Sequence, residues 1–168
     1  MMGKWIGAMM IVAGCAGIGL SLAANEKRRA FYLRLLLQKL ERMEQELSSH
    51  ILALPNLFAV VKSEDPLGML FAAMARLLEE KAYPSAQDCM EAALLEQSGI
   101  PVDVKDILRR LGSGLGLLDL DGQRRQLQIV IEECRRSLDT LMDGQALRLK
   151  NYCTLSLCCG AALAVLLI

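Results

Sequence analysis

Two long runs without a charged residue bracket this chain. Trp5 to Ala24 is one, 20 residues rich in Ile, Met, Ala, Leu and Gly, and Asn151 to Ile168 is the other, 18 residues of mostly Leu, Cys and Ala. At about 1.5 Å per residue, helices of these lengths reach across a hydrocarbon core of roughly 30 Å. Both runs read as transmembrane helices. Between them the pattern changes to apolar positions spaced three and four apart, the repeat of one helix face.

The first amphipathic segment runs from Glu26 to about Leu52. Leu33, Leu36, Leu40, Met43, Leu47 and Ile51 form its seam, and Arg34, Lys39, Glu41, Arg42, Glu44 and Glu46 fill much of the other face. Pro55 ends or redirects it, because proline lacks the amide that a helix interior needs. Asp65 before Pro66 reads as an N-cap with proline at the first helical position, opening a helix through Leu67, Leu70, Met74, Leu77 and Leu78. Ser85 with Asp88 three residues on resembles a capping box, and Cys89, Ala93 and Leu94 continue that helix until Ser98-Gly99 stops it. Pro101 to Leu111 is the next helix, with Val104, Ile107, Leu108 and Leu111 on its core face. Asp119 is placed to cap the last helix, whose seam of Leu127, Ile131, Cys134, Leu138 and Leu141 leads on into the second apolar run.

No stretch alternates apolar and polar residues with the β-branched content of a strand. The expected fold is all-α: a transmembrane helix at 1–25, a single antiparallel helical bundle at 26–150, and a second transmembrane helix at 151–168.

Charge orients the hairpin. Of 38 charged side chains, 37 lie between Glu26 and Lys150, with Lys27, Arg28 and Arg29 just inside the first apolar run and Arg148 and Lys150 just before the second. Lys4 alone lies outside, so the positive-inside bias places the bundle in the cytoplasm. A secretory signal peptide is the rival reading of the first run, with Lys4 as its basic start and Ser21-Leu22-Ala23 as the cleavage site; a third makes both ends core helices of a soluble protein. The signal-peptide reading meets an apolar run longer than the usual roughly 7–15 residues and a basic cluster that resists translocation.

A formal net charge of zero, with both signs mixed through the middle, leaves no electrostatic footprint for nucleic acid. Cys15, Cys153, Cys158 and Cys159 fall in the apolar runs, which leaves Cys89 and Cys134 in the bundle as small apolar side chains. His50 is the only histidine and no Cys-x-x-Cys pair occurs, which argues against zinc. His50 follows the first seam and reads as the fraying end of its helix.

Leu111-Gly112-Ser113-Gly114-Leu115-Gly116-Leu117-Leu118-Asp119 is the segment that invites a chemical reading. A phosphate-binding glycine loop follows a strand, and a P-loop also needs Gly-Lys-Ser/Thr; neither condition holds. Gly112 to Gly116 instead reads as a tight turn between packed helices, with Asp119 satisfying amides beyond it. No nucleophile, base and acid stand at informative spacing, and pairs such as Glu79-Glu80 and Glu132-Glu133 read as solvated helix faces. No enzyme, cofactor or small-molecule substrate is expected.

Together these features resemble the stage III sporulation protein AB family of endospore-forming bacteria. The resemblance rests on Leu111-Gly112, Leu115-Gly116, Asp119 and Gln123, a Leu-Gly-x-x-Leu-Gly-x-x-Asp-x-x-x-Gln pattern. Gly14-Cys15-Ala16-Gly17-Ile18-Gly19 with Arg29, and Leu40-Glu41 to Glu46-Leu47, are similar too; Gly114 is an extra glycine in the pattern. The resemblance implies a part in the complex joining mother cell and forespore, in the mother-cell membrane around the forespore. It also implies a bundle like the cytoplasmic domain of type II secretion F and type IV pilus platform proteins, partnered by other stage III sporulation membrane proteins and a hexameric secretion-type ATPase. Leu111, Gly112, Leu115, Gly116, Asp119 and Gln123 are then a structural turn and a possible partner interface. The alternatives are a general type II secretion or type IV pilus platform, a small membrane-bound enzyme, and an exported surface protein anchored at its C-terminus.

Overall fold

The structure, a computed structural model, describes the backbone at residues 2–49, 53–115 and 120–167, with side-chain surroundings at 17, 21–49, 53–115, 121–143, 154 and 158. All regular structure among the described residues is helical: α1 (Met2–Ser49), α2 (Leu54–Val60), α3 (Pro66–Glu79), α4 (Ala86–Glu96), α5 (Val102–Leu115) and α6 (Leu120–Leu167). Contacts divide the chain into two compact units, Phe31–Leu138 and the pair of ends Met1–Ala30 with Asp139–Ile168.

In the unit Phe31–Leu138, the expected α1 seam of Leu33, Leu36, Leu40, Met43 and Leu47 is buried, and so are Leu127, Val130, Ile131, Cys134 and Leu138 of α6. Polar links between the two helices fix an antiparallel register. The Cys134 thiol donates to the Leu33 carbonyl (3.4 Å), Arg135 pairs with Glu41 (2.9 Å), Gln128 donates to Glu44 (2.8 Å) and Arg124 Nη2 donates to the Leu47 carbonyl (3.2 Å). From Leu33 and Glu41 to Leu47 along α1, the partners on α6 run back from Cys134 and Arg135 to Arg124. Phe31 and Leu138 therefore lie at the same end of this unit.

The short helices complete the core from one side. Phe58 of α2 stacks on Phe71 of α3 with ring centres 5.8 Å apart. Leu67, Leu70 and Met74 of α3, Met90 and Leu94 of α4, and Val104, Leu108 and Leu111 of α5 are all buried behind them. Two of the three expected N-caps form, and the third, Asp119, lies outside the described residues. An Asp65 carboxylate oxygen accepts from the Gly68 amide at 2.8 Å, and the Ser85 hydroxyl accepts from the Asp88 amide at 3.1 Å while donating to the Asp88 carboxylate at 2.6 Å. Gly99 ends the α4 connection with φ of 98°, open to glycine at little cost.

Three local readings change. Leu54–Val60 is a helix in its own right, with Pro55 near its start, whereas Pro55 was expected only to end or redirect α1. Lys39, expected on the polar face, is buried. Gly112 and Gly114, expected in a turn, are helical, because α5 continues to Leu115. Two glycines inside a helix cost roughly 1 kcal/mol each relative to alanine, but burying Leu115 returns roughly 1.5–3 kcal/mol. Close packing explains the glycine at 112, where an added Cβ would stand 2.7 Å from the Met90 Cβ.

In the other unit the backbone of both ends is helical, and Glu26 and Arg29 form an ion pair one turn apart at 3.2 Å. Ala23 and Ala30 are buried and Gly17 opens onto unfilled space. Most side chains of Trp5 to Ala24 and Asn151 to Ile168 lie outside the described residues. Among the described residues no helix is long and apolar enough to cross a membrane.

The two glycines should respond oppositely to alanine. Gly112→Ala is expected to destabilise by about 1–3 kcal/mol, because α4 and α5 must part to relieve the clash with Met90. At 114 the obstacle is the Gln126 side chain, whose Cγ would stand 2.3 Å from an added Cβ; it must turn aside and give up its long, exposed bond to the Arg110 carbonyl, a small loss set against the gain in helix propensity. Gly114→Ala should be neutral or stabilising by up to about 1 kcal/mol. Thermal melts of both variants check the pair; equal destabilisation would refute the packing account.

Candidate functional site

The residues singled out in the sequence fall at the end of α5 and the start of α6. Leu111, Gly112 and Leu115 are buried in α5, and Gln123 is half-buried in the first turns of α6. Gly116 and Asp119 lie outside the described residues, as does His50. Helix α5 lies against α6 through an Arg110–Glu133 ion pair and a 3.4 Å hydrogen bond from Gln126 to the Arg110 carbonyl. Leu111, Gly112 and Leu115 thus face the core rather than solvent. Among the described members of the set, Gln123 is the one that is not fully buried.

Among the described residues a buried polar cluster lies elsewhere, and the sequence reading missed it. Lys39 Nζ reaches from α1 to the Val61 carbonyl (3.0 Å), the Ser63 hydroxyl (2.5 Å) and the Asp65 carboxylate (3.0 Å). Ser63 in turn donates to the same carboxylate, whose other oxygen caps α3. One buried ammonium therefore ties α1 to the end of α2 and the start of α3. Burial pushes the Asp65 carboxyl up, but the Ser63 hydroxyl, the Gly68 amide and Lys39 together outweigh it and hold the carboxyl below its ordinary range. The only signal in the sequence was position: Lys39 stands three residues after Leu36 and four before Met43, on seam spacing.

A lysine beside a serine can serve a hydrolase, but Lys39 spends its protons on three oxygens, as an ammonium does and a general base does not. The cluster is a structural clip. It borders a cleft of about 240 Å³ that Arg42 and Lys62 also line. A second, wider cleft of about 590 Å³ lies between α1 and α6, lined by Gln38, Glu41, Arg42, Glu44 and Arg135 among others. Both are open and charged.

The bundle cysteines are poor nucleophiles. Burial, followed by the charges of Glu133 and Glu41, pushes the Cys134 thiol up to about 12, and burial also raises Cys89. Among the described residues no group of three or more His, Cys, Asp or Glu side chains is placed to hold a metal ion. The polar groups described here join helices to one another.

Such an arrangement is that of a helical bundle. Residues 4–168 match the family model described as Stage III sporulation protein AB, and the chain belongs to that family. Among solved structures it is similar to one named "Stage III sporulation protein AB (SpoIIIAB)", with 20% identity and a TM-score of 0.58, over 71% of this chain and 98% of that one. At that identity the likeness speaks to the fold. No curated protein matches the chain. Family membership supports a role in sporulation, and the family is not a known enzyme family.

The Lys39 clip makes a stability prediction with a sign in pH. Asp65→Ala removes a cap worth about 0.5–2 kcal/mol and leaves a buried ammonium without its counter-charge, for a combined loss of about 2–4 kcal/mol. Lys39→Met keeps the apolar stem and should cost less. Since the folded-state pKa of Asp65 is lowered, its contribution is complete above about pH 4 and disappears as pH falls through the folded value. The stability gap between wild type and Asp65→Asn should therefore close on acidification, as read by denaturant melts at each pH. A gap that widens in acid would contradict the clip.

Proposed function

We propose that this chain is a non-enzymatic membrane component of the complex that joins mother cell and forespore during sporulation. The observation that carries the reading is the family match over residues 4–168, which takes in both apolar ends as well as the bundle. In this reading residues 1–25 and 151–168 are transmembrane helices in the mother-cell membrane around the forespore. Residues 26–150 then form a platform on the cytoplasmic side.

Two physical features support the hairpin. The charge partition, 37 of 38 charged side chains between Glu26 and Lys150, matches a polar domain between two apolar anchors. The antiparallel seam also puts Phe31 and Leu138 at one end of the bundle, as two anchors entering a single membrane require. The platform role, with other stage III sporulation membrane proteins and a hexameric secretion-type ATPase as partners, rests on the resemblance to secretion platform proteins. Fold analogy raises that reading without establishing it. Gln123, half-buried at the start of α6, is the residue of the family pattern best placed for a partner.

Topology is tested in a cysteine-free variant carrying a single cysteine either at the extreme N-terminus or at exposed Gln87. With the variants produced in non-sporulating cells, where the chain inserts in the outer cell membrane, a membrane-impermeant thiol reagent should label the first in intact cells and the second only after permeabilisation. Labelling of position 87 alone would overturn the hairpin. For the platform role, Gln123→Ala should reduce ATPase pull-down and spore formation at unchanged thermal stability. Normal pull-down and normal sporulation would remove Gln123 from the interface.

A further inference from the structure

The narrower of the two clefts, beside the Lys39 clip, has an unbalanced charge. Of the groups that line its volume of about 240 Å³, Lys39, Arg42 and Lys62 are cationic and Asp65 is the one carboxylate. Lys39 and Asp65 hold each other at 3.0 Å and so cancel. Arg42 and Lys62 are left over. Both are exposed, and among the described residues neither side chain has an ion-pair or hydrogen-bond partner.

The fold brings these two cations to one place and fixes them there. Lys39 Nζ donates to the carbonyl of Val61, the residue before Lys62, and so fastens the α2–α3 connection to α1 three residues from Arg42. Gln38, also exposed, stands one turn before Arg42 on the same face of α1 and adds an amide to the cleft wall. The neighbouring acids leave the pair uncompensated. Glu64 is exposed and does not line the cleft, and beyond Arg42, in the wider cleft, Glu41 pairs with Arg135 and Glu44 accepts from Gln128. Glu46 lines that wider cleft and not this one.

We infer that this cleft is an anion site that takes a phosphate group as its dianion, between the Arg42 guanidinium, the Lys62 ammonium and the Gln38 amide. Two uncompensated positive charges match a phosphate ester, which carries about −1.5 to −2 at pH 7, better than they match a singly charged carboxylate. The guanidinium fork can hold two of its oxygens while the ammonium acts as a point charge. The volume is below the roughly 300–1,000 Å³ of pockets for drug-sized ligands, so the cleft admits free phosphate or a small phosphate ester and leaves no room for a nucleotide. Because both cations are exposed and screened by salt, the affinity should be about millimolar.

The test uses the full chain in nonionic detergent micelles at low ionic strength and follows the phosphorus NMR linewidth of inorganic phosphate and, separately, of glycerol phosphate. A bound anion tumbles with the micelle, so the line should broaden saturably, with a Kd of about 1 mM. Arg42→Gln and Lys62→Gln should each weaken binding about fivefold or more, with unchanged helical dichroism and melting in phosphate-free buffer because both side chains are exposed. Arg125→Gln, which removes an exposed cation outside the cleft, should change nothing, and acetate at the same concentration should not displace phosphate. Broadening of the ester line as well would admit small phosphate esters as ligands; broadening of inorganic phosphate alone would name the free ion. No broadening with the wild type, broadening that survives both cleft substitutions, an equal loss in Arg125→Gln, or displacement by acetate would each overturn the inference.

Discussion

The antiparallel seam between α1 and α6 is the contact on which the rest of the bundle depends. It joins residues 77 to 101 positions apart, and so closes nearly the whole of the unit Phe31–Leu138 into one loop. Closing a loop of that size costs conformational entropy that local structure cannot offset. The return comes from two five-residue apolar rows, Leu33 to Leu47 and Leu127 to Leu138, buried against the core. Of the polar links along the seam the Cys134–Leu33 bond is buried, while the others are exposed or partly buried and each contributes little by itself. Their effect is to choose the register that hydrophobic rows alone would leave degenerate.

Within that frame the intervening helices need not be stable alone. Helix α2 has 7 residues and α4 has 11, fewer than the roughly 12–15 at which an isolated helix becomes marginal. They persist because their ends are fixed. Asp65 and Ser85 cap α3 and α4, the Lys39 clip binds α1 to the α2–α3 connection, and Gly112 lets α5 lie close against Met90 of α4. The charged surface is left over from this construction. Helix joining thus accounts for the buried polar contacts of the Lys39 clip and of the Cys134–Leu33 bond.

The sequence made the periodic features legible for a physical reason. Spacings of three and four identify a buried helix face wherever it is several turns long: the expected rows are buried from Leu33 to Leu47 and from Leu127 to Leu138, while Leu141 is half-buried and Ile51 lies outside the described residues. Caps were legible because Asp-Pro and Ser-x-x-Asp have local meaning. What was missed depended on tertiary contact. Lys39 looks like any polar residue until the Val61 carbonyl and Asp65 are folded against it, and Gly112 looks like a turn until Met90 is seen to need the space. Helix α2 was obscured because Pro55 reads equally well as a break and as the first turn of a helix. Of the residues singled out for function, burial of Leu111, Gly112 and Leu115 gives them a packing role.

Native-state hydrogen exchange on the full-length chain tests the seam most directly. If the α1–α6 pairing is the constraint on which the bundle depends, amides at 33–47 and 124–138 should exchange at a common, slowest rate, through one cooperative opening. Leu36→Ala on α1 should then speed exchange on α6 as much as on α1. Exchange of the α6 amides well ahead of α1, or a Leu36→Ala effect confined to α1, would contradict the account.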